Sequence, residues 1–185
     1  MLDCEIDPNL RIKSVTLEDA NELFELVDAN RSRLREWLGW LDKTRELKDT
    51  IGFINFATET EQTNGAVTAA VRYQDKLVGL VSFHKIDWST STANVGYWIG
   101  EDASGKGIVT RSVEKLVEYG FNTLNLETIK IRCASENYRS LAVPKRLGFS
   151  FDETVKNAEW LYDHHVDHLV FSMSKSAWNE RERAD

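Results

Sequence analysis

A mixed α/β fold, with helices packed around one β-sheet, is the fold class that the sequence predicts. Segments with strand-like alternation come before, between and after segments with helical periodicity, which is typical of a mixed sheet. Two neighbouring strands are separated only by Gln74-Asp75-Lys76, a spacing that predicts an antiparallel hairpin. The 185 residues are 42% hydrophobic and contain no linker or repeat, so they can bury one core without disulfides or metal. We therefore expect a single domain spanning residues 1–185.

The first third of the chain predicts one strand followed by three helical segments. The strand covers Leu10–Val15, where apolar and polar residues alternate. Thr16 then caps the first helix, because its hydroxyl oxygen can accept a hydrogen bond from the first turn. The apolar residues recur at helical spacing in all three segments: Ala20, Leu23, Phe24 and Val27, then Leu34, Trp37, Leu38 and Leu41, then Ile51, Ile54 and Phe56 within Lys48–Thr60.

The rest of the chain alternates between strands and helices. Gly148 ends the last predicted helix before two closing strands, and the stretch Trp178–Arg183 is expected to be a solvated tail or helix end. The remaining predicted segments are the strands Ala66–Tyr73, Leu77–Ile86, Asn94–Ile99, Glu127–Cys133, Phe149–Val155 and His168–Met173, the loop Gly100–Gly107, and the helices Val109–Asn122 and Asn137–Leu147.

Charge and composition exclude several classes of protein. The formal net charge of −7 argues against nucleic-acid binding, which needs a basic surface. The chain has no apolar run long enough to span a membrane, and its first residues do not form a secretion signal, so we expect a cytoplasmic protein. Cys4 and Cys133 stand at no metal-ligand spacing, and Cys133 lies in an apolar run, which favours a buried core thiol over a catalytic one.

The most informative segment is the strand, loop and helix from Tyr97 to Ile108. The first turn of a helix carries N–H groups without intrahelical partners, and the helix dipole makes that end partly positive. Gly105 and Gly107 have no side chains, so phosphate oxygens can approach the main chain closely, and Lys106 adds positive charge. The segment therefore predicts a site for a diphosphate.

Two other anion-binding loops do not fit this pattern. A P-loop needs Lys-Ser/Thr after its second glycine, whereas Ile108 follows Gly107 here. A dinucleotide fingerprint needs three glycines after the first strand of its unit, whereas this loop lies in mid-chain with two. The alternative that the two glycines only form a tight turn stays open.

A second segment, Asn137–Phe149, begins thirty residues after Gly107. The Gly105-Lys106-Gly107 loop and the series Asn137, Ser140 and Leu147-Gly148-Phe149 together resemble the two core motifs of the GNAT acetyltransferases. The resemblance is closest to the RimJ/RimL-like branch, the ribosomal-protein-alanine acetyltransferases. It extends over most of the chain through Trp37–Leu41, Gly79–His84 and Gly96–Ile99.

The resemblance implies a strongly bent mixed sheet of about seven strands, with helices on both faces and a V-shaped cleft between the central strands. Acetyl-CoA would enter that cleft with its pantetheine arm paired to the backbone near Trp98 and Ile99. Its diphosphate would bind the main chain from Ser104 to Val109. Asn137 would meet the coenzyme arm, and Ser140 would face the sulfur. No metal is implied.

The chain departs from the family pattern at two positions. The first loop residue, often Gln or Arg in the family, is Asp102, whose carboxylate should point away from a diphosphate. Many members protonate the leaving thiolate with a tyrosine seven residues after Asn137, and that position is Pro144. Ser140 is the substitute that the RimJ/RimL-like branch implies. Pro144 crowds the carbonyl of Ser140, so a kink is expected, which would either expose Ser140 or simply be tolerated.

Acetyl transfer needs a neutral amine, a stabilised oxyanion and a thiolate that can leave. By the same resemblance, a main-chain N–H near Trp98 would bind the oxyanion, and Ser140 would hydrogen-bond to the sulfur. Glu159 matches the position of a glutamate proposed as the base, although it could instead be a solvated residue at a strand end. The lesser candidates for the base are His84, Glu101 and Glu136.

Two other groups of residues, the aromatic side chains and the histidines, indicate a function less specifically. Aromatic side chains could line an acceptor groove or belong to the core: Trp37, Trp40, Phe83 and Tyr97. His164, His165 and His168 invite a metal reading with Asp163 and Asp167, but a turn entering a strand does not present them together, so no metal site is expected.

The function expected from this reading is direct acetyl transfer from acetyl-CoA to a primary amine, with a protein N-terminal α-amine as the acceptor. One alternative is acetylation of a small amine such as a polyamine, amino acid or antibiotic. Another is a module that binds acyl-CoA without catalysis. A homodimer is a further expectation from the family.

Overall fold

Eight β-strands form one continuous sheet in the computed structural model, which describes residues 1–182. Six α-helices pack against it within these residues. The strands are β1 Asp3–Asp7, β2 Leu10–Ser14, β3 Val67–Tyr73, β4 Lys76–Asp87, β5 Thr92–Ile99, β6 Thr128–Ala134, β7 Ser150–Leu161 and β8 His164–Ser174. The helices are α1 Ala20–Ala29, α2 Arg31–Arg35, α3 Leu47–Gln62, α4 Ile108–Asn122, α5 Tyr138–Arg146 and α6 Lys175–Glu182.

The order of the strands across the sheet is β1-β2-β3-β4-β5-β6-β8-β7. Every neighbouring pair is antiparallel except β5 and β6, which are parallel and connected through α4. This is the mixed sheet that the sequence predicts. Strand β1 was not predicted, although Asp3, Glu5 and Asp7 alternate with Cys4 and Ile6 in the segment that pairs with β2.

Three segments differ from their predicted form. Helix α2 ends at Arg35, so Trp37 and Leu38 lie in a loop and Leu41 begins a 3₁₀ turn. Strands β7 and β8 are longer than predicted, because they form one hairpin that turns at Tyr162-Asp163. His164 and His165 therefore lie within β8.

Apolar side chains form a core on each face of the sheet. Helices α4, α5 and α6 cover one face, where the buried residues of α4 recur at helical spacing. Helices α1 and α3 cover the other face with a smaller core. Successive residues of a strand point to opposite faces, so Val95 joins the first core while Trp98 packs against the second.

The parallel pair β5 and β6 separates part of the way along its length. The two strands pair only from Thr92 to Val95 and from Thr128 to Ile131. Beyond that point, β5 continues to Ile99 beside β4, while β6 continues to Ala134 beside β8. The sheet therefore opens into the V-shaped cleft that was expected.

Residues 178–182 form the end of α6, which is one of the two predicted alternatives, and the burial of Trp178 excludes the other, a solvated tail. Trp178 in α6 is only 2% exposed, and its ring lies 6.0 Å from that of Phe121 in α4. Burial of a large aromatic side chain anchors the helix to the sheet. Arg183, which ends the predicted stretch, lies outside the described residues. Within residues 1–182, no helix is both long enough and apolar enough to cross a membrane.

Gly120 in α4 allows the helix to approach the sheet closely. A Cβ atom at this position would lie 2.7 Å from Phe83 Cζ and 2.9 Å from Ile129 Cδ1. We expect Gly120→Ala to lower the free energy of unfolding by about 1–2 kcal/mol, because overpacking outweighs the gain in helix propensity. The measurement is urea denaturation. Gly52→Ala is the control, since a Cβ atom there has no neighbour within 4 Å, and equal stability of the two variants would contradict the prediction.

Candidate active site

The loop between β5 and α4 has the geometry of an anion site. Gly105 and Gly107 adopt φ angles of +75° and +70°, which side chains of L-residues rarely tolerate. A Cβ atom at either glycine would meet no protein atom within 4 Å, so the requirement for glycine here is conformational. Gly107 is the N-cap of α4, and the loop is exposed to solvent.

The main-chain N–H groups of this loop are largely unpaired. The N–H groups of Gly105 to Val109 donate to no acceptor within residues 1–182. The N–H of Ser104, in contrast, already donates to the carbonyl of Glu101 at 2.9 Å. Lys106 and Asp102 are both exposed. A row of free N–H groups at the positive end of a helix is suited to binding phosphate oxygens.

Arg33 in α2 adds a positive charge to this loop, a contact that was not among the predictions. Its Nη2 donates to Ser104 Oγ at 2.8 Å, and its Nη1 donates to the carbonyl of Ile99 at 3.3 Å. The side chain thereby links the end of β5 to the loop. No local motif could reveal this role, because Arg33 and Ser104 are 71 positions apart in the chain.

The opening of the sheet leaves backbone available on β5. From Gly96 to Ile99 this strand pairs with β4 on one side, and no strand pairs with its other side within residues 1–182. Trp98 and Ile99 therefore lie at an edge that no strand covers, where the Ile99 carbonyl accepts a hydrogen bond from Arg33. An extended chain with amide groups can pair with such an edge in the manner of an added strand.

Ser140 lies in the first turn of α5, beside the opening between β5 and β6. Asn137 caps this helix, since its Oδ1 accepts a hydrogen bond from the Ser140 N–H at 3.1 Å. The Ser140 hydroxyl lies 3.2 Å from the Tyr97 hydroxyl and 3.2 Å from Cys133 Sγ. Burial raises the pKa of Tyr97 well above its ordinary value and also raises the pKa of the Cys133 thiol. Both groups therefore hold their protons at neutral pH.

Pro144 explains the contact between Tyr97 and α5. In a regular helix, the residue four positions after Ser140 would donate its N–H to the Ser140 carbonyl, and proline has no N–H. The Tyr97 hydroxyl donates to that carbonyl instead, at 2.8 Å. Helix α5 runs from Tyr138 to Arg146 with Pro144 inside it.

One cavity of about 600 Å³ passes through the opening in the sheet. Ser140 and Asn137 line it from the side of α5, and Trp98 lines it from β5. Glu159 lines the same cavity from β7. Ile99 and the loop Ser104–Val109 do not line it, so the diphosphate loop lies outside this cavity.

The aromatic candidates divide between the cavity and the core. Trp37, Trp40 and Tyr97 line the cavity. Phe83 does not, since its side chain is fully buried against Gly120, which agrees with the alternative that it belongs to the core.

Glu159 lies within β7 and not at the end of a strand. Its side chain is 41% exposed, and its Oε2 lies 3.2 Å from Nε2 of His168 in β8. Among the lesser candidates for the base, only His84 lines the cavity, whereas Glu101 and Glu136 do not. Desolvation by the surrounding protein lowers the pKa of His84, even though the ring is exposed to solvent.

The histidine cluster does not form a metal centre in residues 1–182, where no group of three potential ligands comes together. His164 and His165 are exposed near the tip of the β7–β8 hairpin, and His165 packs against Trp160. Asp167 contacts Lys156 and Asn157, while His168 lies in the cavity beside Glu159.

Comparison with known proteins shows which family has this sequence and this site. The family model described as "Acetyltransferase (GNAT) domain" matches residues 9–150. The chain is 30% identical over 181 residues to the Bacillus subtilis (strain 168) protein named "Putative ribosomal N-acetyltransferase YdaF", covering 96% of this chain and 98% of that protein. It is 26% identical to the ribosomal-protein-serine acetyltransferase of Escherichia coli (strain K12), over 88% of this chain and 91% of that protein.

A solved structure has the same fold. The Microcin C7 self immunity acetyltransferase MccE, in complex with acetyl-CoA and AMP, superposes with a TM-score of 0.88 at 29% sequence identity. The superposition covers 91% of this chain and 94% of that one. The family model, the full-length relative and the divided sheet agree: the chain belongs to the GNAT acetyltransferase family.

Proposed function

We propose that the chain transfers an acetyl group from acetyl-CoA directly to a primary amine, and that the acceptor is the α-amine of a protein N-terminus. One observation carries the proposal. A single cavity passes through the opening in the sheet, with Ser140 on the side of α5 and Glu159 on the side of β7. A thioester and an amine can therefore meet in the opening from opposite sides, each beside a group that can move a proton.

The coenzyme is proposed to occupy the side of the opening that faces α4 and α5. The free N–H groups of Gly105 to Val109 bind its two phosphates, supported by Arg33 and Lys106. Its pantetheine arm pairs with the edge of β5 at Trp98 and Ile99, close to Asn137. The thioester then lies near Ser140. The acetyl-CoA in the MccE structure supports acetyl-CoA as the ligand of this fold.

The proposed reaction begins with removal of a proton from the acceptor ammonium, for which Glu159 provides a carboxylate in the cavity. The neutral amine attacks the thioester carbon, and a main-chain N–H near Trp98 stabilises the oxyanion, a contribution of about 3 kcal/mol in comparable sites. The C–S bond then breaks, and the thiolate takes a proton through the Ser140 hydroxyl. Tyr97 holds that hydroxyl in place, because its phenol oxygen accepts a hydrogen bond from Ser140 Oγ, and the second proton lost by the amine replaces the one that Ser140 gives.

An α-amine is the acceptor that this chemistry favours. Its ordinary pKa of about 8 makes it easier to deprotonate than a lysine-like amine with a pKa of about 10. Two relatives are named for acetylation of ribosomal proteins, which supports the same class of acceptor. We also place the protein in the cytoplasm, because both of its cysteines are free.

The proposal is tested in two steps. Calorimetry should show binding of CoA or acetyl-CoA by the purified protein, and a thiol-release assay should then show turnover that depends on added amine. Peptides with free N-termini should exceed polyamines, amino acids and aminoglycosides in kcat/KM. Coenzyme binding without turnover on any amine would favour the binding module, and preference for a small amine would replace the acceptor class. Light scattering on the same sample tests the expected homodimer.

Arg33 provides a test of the coenzyme site. We expect Arg33→Ala to raise the Kd for CoA about tenfold, because a charged side chain that orders the loop is lost. The difference should shrink at high salt, since screening weakens exposed charges. The measurement is calorimetry at two ionic strengths. Arg45→Ala is the control because Arg45 is exposed and donates to the carbonyl of Asp42 instead of to the loop. An unchanged Kd in Arg33→Ala would remove Arg33 from the site.

A further inference from the structure

His168 lies beside Glu159 in the cavity and carries a second titratable group on the acceptor side. Its side chain lines the cavity, is only 16% exposed and lies with Nε2 at 3.2 Å from Glu159 Oε2. The other oxygen of Glu159, Oε1, lies near Gly39 in the loop that follows α2. The carboxylate therefore has one oxygen toward the imidazole and a second oxygen that does not contact it.

A β-bulge in β7 brings these two side chains together. Val155 pairs with His168, and the next paired residue, Glu159, lies opposite Val166. Residues 156–158 therefore face the single residue Asp167, so β7 contains two more residues than β8 across this stretch. Without the bulge, Glu159 would lie opposite His164, near the tip of the hairpin. With it, Glu159 becomes the diagonal neighbour of His168, a distance that long side chains can bridge.

Asp167 holds the bulge in place. Its Oδ1 accepts a hydrogen bond from the Asn157 N–H at 2.9 Å, and its Oδ2 lies 2.6 Å from Lys156 Nζ. Asn157 adopts a φ of +50°, a conformation that asparagine tolerates better than most residues. Because Asp167 precedes His168 directly in the strand, one dipeptide both fixes the bulge and supplies the imidazole.

We propose that Glu159 and His168 act as a pair in which the proton taken from the acceptor ammonium comes to rest on His168. Glu159 binds the ammonium through Oε1, the ammonium gives its proton directly to Nε2 of His168, and the N–H formed there donates to Glu159 Oε2. An imidazole in general holds a proton about 100-fold more strongly than a carboxylate, so it is the better resting place. The inference rests on the proposed function.

Every proton in the proposed reaction has a source and a destination. The ammonium gives one proton to His168, and the N–C bond forms as the neutral amine attacks. When the C–S bond breaks, the nitrogen loses a second proton, and the departing thiolate gains one through Ser140. His168 then releases the first proton to solvent. The products are the N-acetylated amine, CoA and one proton.

Other charged or titratable groups surround the pair, and each is a rival base or a modifier. His84 on β4 and Arg132 on β6 line the same cavity. Ser82 Oγ lies 3.3 Å from His84 Nδ1, and the His84 ring packs directly over Gly96. Asp167 precedes His168 in the strand, and its carboxylate is bound by Lys156 and the Asn157 N–H. Of the two cavity histidines, His84 and His168, only His168 contacts a carboxylate within residues 1–182.

The test compares His168→Gln with His165→Gln, a substitution of the same type at an exposed residue of the same strand. We expect His168→Gln to bind CoA like the wild type and to lose about 30-fold in kcat/KM for the amine at pH 7. The loss should shrink as the pH approaches the pKa of the acceptor, because the amine is then already neutral. His165→Gln should stay within about twofold of the wild type.

Three outcomes would overturn the inference: wild-type activity in His168→Gln, a loss that is the same at every pH, or an equal loss in His165→Gln. Asp167→Asn provides an independent variant that keeps His168. It should show the same pH-dependent loss through displacement of Glu159, with unchanged CoA binding. Failure of the proposed function looks different, since the wild-type protein itself would then show no amine-dependent turnover.

Discussion

Replacement of Ser140 by alanine is expected to lower kcat by at least about 100-fold while the Kd for CoA changes by less than about threefold. General acid catalysis contributes about 10²–10⁴ in comparable enzymes. The proposed contact of Ser140 is with the sulfur at the moment it leaves, so its loss affects the transition state more than coenzyme binding. Stopped assays of thiol release and calorimetry with CoA measure the two quantities separately.

The neighbours of Ser140 sharpen this test. Tyr97→Phe keeps the ring in the core but removes the hydroxyl at 3.2 Å from Ser140 Oγ, so we expect a smaller loss, about tenfold in kcat. Ser150→Ala, at an exposed position outside the cavity, is the matched control and should behave like the wild type. If Ser140→Ala retains wild-type kcat, Ser140 has no part in the chemistry.

Replacement of Glu159 by glutamine should produce the second large loss, about 100-fold in kcat/KM for the amine at pH 7. Glutamine keeps the shape and can still hydrogen-bond to His168, but it provides no negative charge for an incoming ammonium. The effect should therefore appear in the KM for the amine as well as in kcat, with CoA binding unchanged. Initial rates over a range of amine concentrations measure both parameters.

Glu153→Gln is the control for this variant, because Glu153 is an exposed residue of the same strand that does not line the cavity. A double variant with His168→Gln should lose little beyond the larger single effect, since residues that act as one unit are not additive. Equal kcat/KM for Glu159→Gln and the wild type would contradict the assignment of Glu159 to the acceptor side.

Local patterns in the sequence were sufficient for the main elements of the fold. The periodicity of α4, the hairpin of β3 and β4 and the glycines at 105 and 107 each depend on residues close together in the chain. The same holds for Asn137, whose side chain caps the helix that carries Ser140. These local features also carried the resemblance to the acetyltransferase family, and that resemblance implied Ser140 and Glu159 as candidates.

The tertiary structure decided what depends on contacts between distant parts of the chain. Arg33 reaches the diphosphate loop, Tyr97 satisfies the carbonyl that Pro144 leaves unpaired, and Trp178 is buried against α4. None of these has a periodic signal, because a side chain's partner across the sheet is set by strand order and register. The bulge that brings Glu159 to His168 is likewise a matter of register: three residues of β7 face one residue of β8. Local chemistry determined which groups are available, and strand pairing determined which of them meet.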